Sequence, residues 1–398
     1  MPDPLQQPSQ SAIPSGQASS PPGTQGYDPV YDKTSDPDRY SRQVLFPGIG
    51  IVGQQRLASA HVAIIGVGAT GATSASLLAR AGVGTLTLVD RDFVEYSNLQ
   101  RQILFDEADA RECLPKAEAA RRKIRLFNAS TVVHPHIADL VPGNIHEILA
   151  PTNTVPLDLI LDGTDNFETR YLINDYAVQQ TKPWIYAAAI GAYAATMNIL
   201  PKRAPSAAAP STYYPQLPTS SFSACLACIF PKPPTGPIET CDTSGILSTA
   251  VNFAASLQVT EALKYLTGQS HAMRRTLVSY DLWTSERSEI HTSDPNPACS
   301  VCGHRIFSHL AGLERPHITL CGRNSVQIHE HHRPIDLAVK SAQLRTHSDI
   351  EDLRSNDLLL RFRRGPHTIT LFPDGRALIQ GTTDITLART LYTRFIGC

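Results

Sequence analysis

The chain has 398 residues, with 35 basic and 36 acidic side chains and a net charge of −1, a balance that argues against a general nucleic-acid binder. Hydrophobic residues make up 42%, enough for a packed core, yet no apolar run is long enough to span a bilayer, and the first residues lack a basic-then-apolar leader pattern. Eight cysteines are too few for a disulfide scaffold at this length; the expectation is a cytoplasmic chain that contacts neither membrane nor nucleic acid directly.

Proline, at 30 residues, concentrates in 2–37 and 201–237, so it marks linkers and loops. Residues 1–38 are rich in Pro, Ser, Gln and Gly with almost no apolar periodicity, and read as a disordered tail. Folded structure is predicted from Arg39, with an arm and a helix over 40–60. Residues 61–66 (HVAIIG) have the apolar, β-branched character of a buried parallel strand. A helix over about 70–81 and a strand over 85–90 (TLTLVD) complete a βαβ unit. A helix at 118–126, strands at 131–135 and 157–162, a helix at 167–180, strands at 184–189 and 194–200, and a long helix at 246–267 follow. This alternation predicts an α/β doubly wound sheet over about 39–310. Residues 317–398 change character, with strands at 324–329 and 358–362, a hairpin around Pro373-Asp374-Gly375, and a helix at 384–395. They read as a small separate α+β domain. No internal repeat is present.

Gly66-Val67-Gly68-Ala69-Thr70-Gly71 is a G-x-G-x-x-G turn between a predicted strand and helix. Gly66, Gly68 and Gly71 allow close approach to phosphates, and the helix start offers N–H groups and positive dipole. Asp90, 19 residues after Gly71, ends the next strand, where a carboxylate can accept ribose hydroxyls. Alone this pattern suggests a nicotinamide dinucleotide. However, Asn98, Arg101 and Gln102 follow closely, and Lys116 opens the next helix; cations there suit a triphosphate and its departing pyrophosphate. Asp165 and Asn166 lie just past the strand ending at Asp162, where Asn166 is a candidate nucleotide contact and Asp165 is suited to Mg²⁺. Cys225-x-x-Cys228 and Cys299-x-x-Cys302 match a four-thiolate zinc site that would staple a Pro-rich crossover loop to the end of the domain; paired redox motifs are the competing reading. Cys241 precedes a predicted helix start, where a thiol is acidified. Cys113, Cys321 and Cys398 have no such context, and the run His329-Glu330-His331-His332 reads as a solvated turn.

In order and spacing, Arg42-Gln43, GVGATG, Asp90, NLQRQ, Lys116 and DGTDNFETR resemble the MoeB/ThiF/HesA adenylyltransferases, relatives of the ubiquitin-activating enzymes, from about Arg39 to Gly303. The resemblance implies a Rossmann-like sheet binding ATP·Mg²⁺ and an enzyme that adenylates the C-terminal glycine of a ubiquitin-like sulfur-carrier protein ending in Gly-Gly. It implies that Gly68, Asp90, Asp92, Asn98, Arg101, Gln102 and Lys116 contact ATP, that Asp165 binds Mg²⁺, and that Arg42 reaches across a homodimer. It supports zinc on the four cysteines, and it places Cys241 where several members carry thioester or acyl-disulfide chemistry. One departure is the pair Ala69-Thr70, where many members have a Gly. The competing readings are an NAD-dependent oxidoreductase, which leaves NLQRQ, Lys116 and DGTDN unexplained, and a catalytically inactive binding subunit. No rhodanese module is evident, so sulfur would come from another protein. By analogy the C-terminal module would hold the carrier or the sulfur donor.

Overall fold

A computed structural model describes residues 38–151, 155–202, 222–232, 244–313, 325–328, 334–373 and 375–397. Cys241, Cys321, Cys398, the histidine run and nearly all of the N-terminal tail lie outside these residues. Residues Arg39–Cys398 form one compact unit.

An eight-stranded sheet runs in the order β3-β2-β1-β4-β5-β6-β7-β8. Its strands are β1 (His61–Ile65), β2 (Thr85–Val89), β3 (Val132–His136), β4 (Leu159–Asp162), β5 (Trp184–Ile190), β6 (Tyr193–Ile199), β7 (Thr276–Asp281) and β8 (Glu286–His291). β3 to β5 pair in parallel and β5 to β8 antiparallel. The chain builds outward from β1 to β3 and then returns to lay β4 on the other side of β1. The order therefore reverses between β1 and β4, where such sheets open a crevice at their carboxyl ends.

The alternating apolar side chains of β1 feed two cores. Val62 and Ile64 pack under the helices Ala69–Ala81 and Ser248–Leu266, while Ala63 and Ile65 face the helix Phe167–Gln180. Each face of a parallel strand is covered, which is why these strands read as continuous hydrophobic runs. The 40–60 region holds two helices, Ser41–Val44 and Gly50–Ser59. The β7–β8 hairpin is not predicted from the sequence: every residue of β8 is exposed, so it carries no burial pattern, and it joins the sheet by pairing with β7.

A second sheet is antiparallel, in the order β10-β11-β12-β13-β9. Its strands are β9 (Ser325–Ile328), β10 (Glu351–Ser355), β11 (Leu360–Arg364), β12 (His367–Leu371) and β13 (Ala377–Gln380), with helices Leu337–Leu344 and Ile385–Phe395 packed on one core. Both helices start on an aspartate, Asp336 and Asp384, whose carboxylates accept two backbone N–H groups each, the usual solution for the open donors of a first turn. The helix over 337–344 and β10 were not expected from the sequence.

Candidate nucleotide and metal sites

The glycine turn and the strand end after β4 meet as bare backbone. Gly66 has φ +84°, and a Cβ on Gly71 would lie 1.8 Å from the Gly66 carbonyl oxygen. A Cβ on Gly163 would lie 2.4 Å from the same oxygen and 2.8 Å from the Gly71 Cα. Glycine is thus required by contact at this crossing. The helix Ala69–Ala81 begins at Gly68 with no side-chain cap, which leaves its first N–H groups pointing at the crevice.

Asp90 closes one side. Its Oδ2 accepts the Val67 N–H and its Oδ1 the Asp92 N–H, both at 2.7 Å. Burial pushes this carboxyl above its ordinary range, against the pull of Lys116. Lys116, expected as a plain surface charge if the site were absent, is only 2% exposed. Its Nζ lies 3.1 Å from Asp92 Oδ2, and its N–H donates to the Asp92 carbonyl at 2.8 Å. Asn98 Oδ1 accepts the Glu95 N–H at 3.1 Å, and the Asn98 N–H donates to the Glu95 carbonyl at 2.9 Å, closing a turn that leads to Arg101 and Gln102. Gln102 is buried, and its Oε1 has no partner among the described residues. Its amide nitrogen would lie 4.0 Å from a Cβ on Gly68, so the side chain sits beside the glycine turn with its oxygen unpaired. Such a group calls for a ligand or water. Arg101 donates to the Ser97 carbonyl at 2.9 Å.

Asp165 is exposed past β4 and makes no hydrogen bond among the described residues. Asn166, expected at the nucleotide, caps the helix Phe167–Gln180, its Oδ1 accepting the Thr169 N–H at 2.8 Å. Arg42 is not brought to the glycine turn. Its neighbour Gln43 donates to the Ala81 carbonyl, at the far end of the 13-residue helix from Gly68. At 1.5 Å per residue that is about 20 Å away.

Three residues behind the site were not singled out in the sequence. Arg170 is buried; it donates to Asp162 Oδ2 at 2.9 Å, to the Thr164 carbonyl at 2.7 Å and to the Ala187 carbonyl at 3.1 Å. Burial alone would lower its pKa, but Asp162 more than offsets this and the net shift is upward. Asp162 Oδ1 accepts both the N–H and the hydroxyl of Thr164. Gln258 donates to the Asp162 and Ile185 carbonyls, both at 2.8 Å, and accepts the Ser74 hydroxyl. A glutamine on the buried stripe of a helix was the one available signal for it.

Cys225, Cys228, Cys299 and Cys302 place all four Sγ atoms within 4.8 Å of one another, with 3.6 Å between Cys225 and Cys299 and 3.3 Å between Cys228 and Cys302. Tetrahedral zinc with ~2.3 Å bonds needs Sγ separations of roughly 3.8 Å, so the donor set fits that ion. Hydrogen bonding to Cys228 raises the Cys225 thiol, and the same bond lowers Cys228. The Asn296 N–H points at Cys228 Sγ at 3.4 Å, and the Leu226 N–H is held by Asn174.

The ThiF family profile matches residues 40–301. The sulfur carrier protein ThiS adenylyltransferase of Bacillus subtilis is 40% identical over 362 residues, covering 90% of this chain and 99% of that protein. That span is too long for the eight-stranded part alone and reaches into the second sheet. The sulfur carrier protein adenylyltransferase of Thermus thermophilus is 35% identical over 67% of this chain and 90% of its own length. The crystal structure of Escherichia coli MccB with ATP aligns with a TM-score of 0.53 at 22% identity, over 67% of this chain and 75% of that one, a likeness of fold.

Proposed function

The chain belongs to the ThiF family, and from that premise we propose that it is an adenylyltransferase that activates the C-terminal glycine of a ubiquitin-like sulfur-carrier protein with ATP. The observation that carries this reading is the backbone crossing of Gly66, Gly71 and Gly163. It sets a phosphate-binding turn beside the strand end bearing Asp165, with Asp90 and Lys116 walling the same crevice. A dinucleotide would use the turn and Asp90 but has no need of buried Lys116 paired to Asp92 or of an acidic strand end after β4. An inactive binding subunit would lack part of this set.

In the proposed reaction an oxygen of the carrier's tail carboxylate attacks the α-phosphorus of ATP. The bond to the bridging oxygen breaks, and pyrophosphate leaves with its electron pair. Asp90 accepts the ribose hydroxyls, the open helix start at Gly68 takes the phosphates, and Gln102 offers its amide to them. Lys116 and Arg101 stabilise charge on the departing pyrophosphate. Asp165 would hold Mg²⁺, which draws charge from the phosphate oxygens when bound. Asn98 orders the turn that presents Arg101, and Asn166, its Oδ1 engaged by the cap, offers its amide nitrogen.

Arg42 serves a neighbouring protomer in this reading. It is exposed, it is a helix length from its own turn, and Leu45, Phe46, Ile51 and Val52 beside it are exposed apolar side chains that a second copy would cover. Zinc on the four cysteines staples the chain after β6 to the segment after β8. Cys241 remains the candidate acceptor of the activated acyl group. We place the protein in the cytoplasm; no helix among the described residues is long and apolar enough to cross a membrane. We divide it into an adenylyltransferase domain over 39–310 and a smaller domain over 317–398.

The test is ATP–pyrophosphate exchange dependent on a carrier ending in Gly-Gly. Arg101→Ala and Asp165→Ala should each slow exchange by about a hundredfold, as for loss of one transition-state stabiliser. Exchange that survives both single changes refutes the assignment.

A further inference from the structure

The second sheet is packed against the nucleotide wall. Leu359, Phe372 and Leu378 form a buried cluster with Phe93 and Cys113, and Ile137 packs on it. Phe93 directly follows Asp92, and Cys113 lies just before Lys116. These two stretches are themselves joined, by the Phe93–Pro115 bridge and by the Val94 N–H to the Leu114 carbonyl at 2.8 Å. Polar contacts ring the cluster. Asn356 donates to the Glu112 carbonyl at 3.1 Å, and Arg376 donates to the Ile137 carbonyl just past β3. Arg361, on β11, places its guanidinium carbon 4.4 Å from the Phe93 ring centroid and a nitrogen 3.4 Å from Glu95 Oε1. The Glu95 backbone closes the turn onto Asn98, so its side chain ties that turn to Arg361.

We propose that Arg361 is a positioning residue for the nucleotide. It touches Phe93 and Glu95 from behind, and so fixes the stretch from Asp92 to Asn98 on which the Lys116 pair and the Arg101–Gln102 turn depend. The second sheet is then the back wall of the nucleotide site, whatever else it does for a protein partner. The inference rests on the nucleotide reading above. Arg361 and Glu95 are partly exposed, at 23% and 31%, so their ion pair is modest; with the cation–π contact the two together are expected to change ATP affinity about tenfold, the equivalent of about 1.4 kcal/mol.

The experiment is ATP binding by calorimetry on the full-length protein, alongside pyrophosphate exchange. Arg361→Ala should weaken Kd and raise KM for ATP about tenfold while leaving kcat within about twofold. Arg361→Lys should recover part of the loss. Glu95→Gln should weaken binding similarly, and adding it to Arg361→Ala should cost little more, since the two act through one contact. Arg363→Ala, on the same strand as Arg361, removes an exposed pair with Glu351 of β10 and should bind as wild type. The proposal is overturned by wild-type ATP affinity in folded Arg361→Ala or Glu95→Gln protein, or by an equal loss in Arg363→Ala. Wild-type protein that binds ATP but exchanges no pyrophosphate with any Gly-Gly carrier would overturn the functional reading and leave this one standing. Wild-type protein that binds no nucleotide would overturn both.

Discussion

Arg170→Met tests whether the strand end carrying Asp165 is held by buried charge. Arg170 is 5% exposed and Asp162 is fully buried. The substitution keeps most of the side chain's volume but leaves the Asp162 carboxylate without its cation and removes the Arg170 bonds to the Thr164 and Ala187 carbonyls. Breaking a buried pair from one side costs about 3–5 kcal/mol, which in a chain of this size lowers the melting temperature by roughly 4–7 °C. Thr164 is the residue between the Gly163 crossing and Asp165, so exchange should also fall, through a displaced Asp165. Asp162→Asn added to Arg170→Met leaves no unpaired charge and should regain part of the stability without restoring exchange. Differential scanning fluorimetry and pyrophosphate exchange on Arg170→Met, Asp162→Asn and the double variant decide it. A melting temperature within about 1 °C of wild type for Arg170→Met, or a double variant as unstable as the sum of the singles, would refute the reasoning.

Protein purified without added zinc should carry one zinc per chain by native mass spectrometry, and Cys228→Ser should lose it and melt earlier; a stable, active, zinc-free wild type would count against the site. Because burial raises the Asp90 carboxyl above its ordinary 3.8, its protonated form stabilises the fold below that pH, and this share is lost as the pH rises through the folded value. The thermal gap between wild type and Asp90→Asn should therefore shift in the variant's favour as pH rises over that window, and a shift the other way would show the carboxylate to be the favoured form. Mixing Arg42→Ala with Asp165→Ala protein should restore part of the exchange activity, and verified mixed dimers without restoration would place Arg42 in cis.

The parallel strands were legible because burial on both faces writes itself as β-branched runs, and the glycine turn, Asp90 and the cysteine pairs because each is local. The helix over 69–81 begins one residue before its expected start, and β4 begins two residues after its own. β8 was illegible since an exposed edge strand has no apolar alternation. The site's scaffolding was illegible for another reason. Gln258 reaches Asp162 across 96 residues, and Phe93 meets Leu359 and Phe372 with no periodic relation in the chain. Such contacts arise only when elements pack, and Arg170, although inside a motif, reveals its role only once Asp162 and Ala187 are beside it.

The triple glycine crossing also bears on how the protein comes apart. The Gly66 N–H is bonded to the Val89 carbonyl at 2.8 Å and the Gly163 N–H to the Ile65 carbonyl at 2.7 Å, so these two glycines are laced to the next strand while their backbones abut each other and Gly71. With no side chain between them there is no rotamer change by which one segment could loosen alone. Fraying of the crevice would have to part β1 from both neighbours, an opening of the sheet itself. These two amides should then exchange with deuterium as slowly as those at the centre of β1, and catalytic competence should be lost on heating together with the sheet.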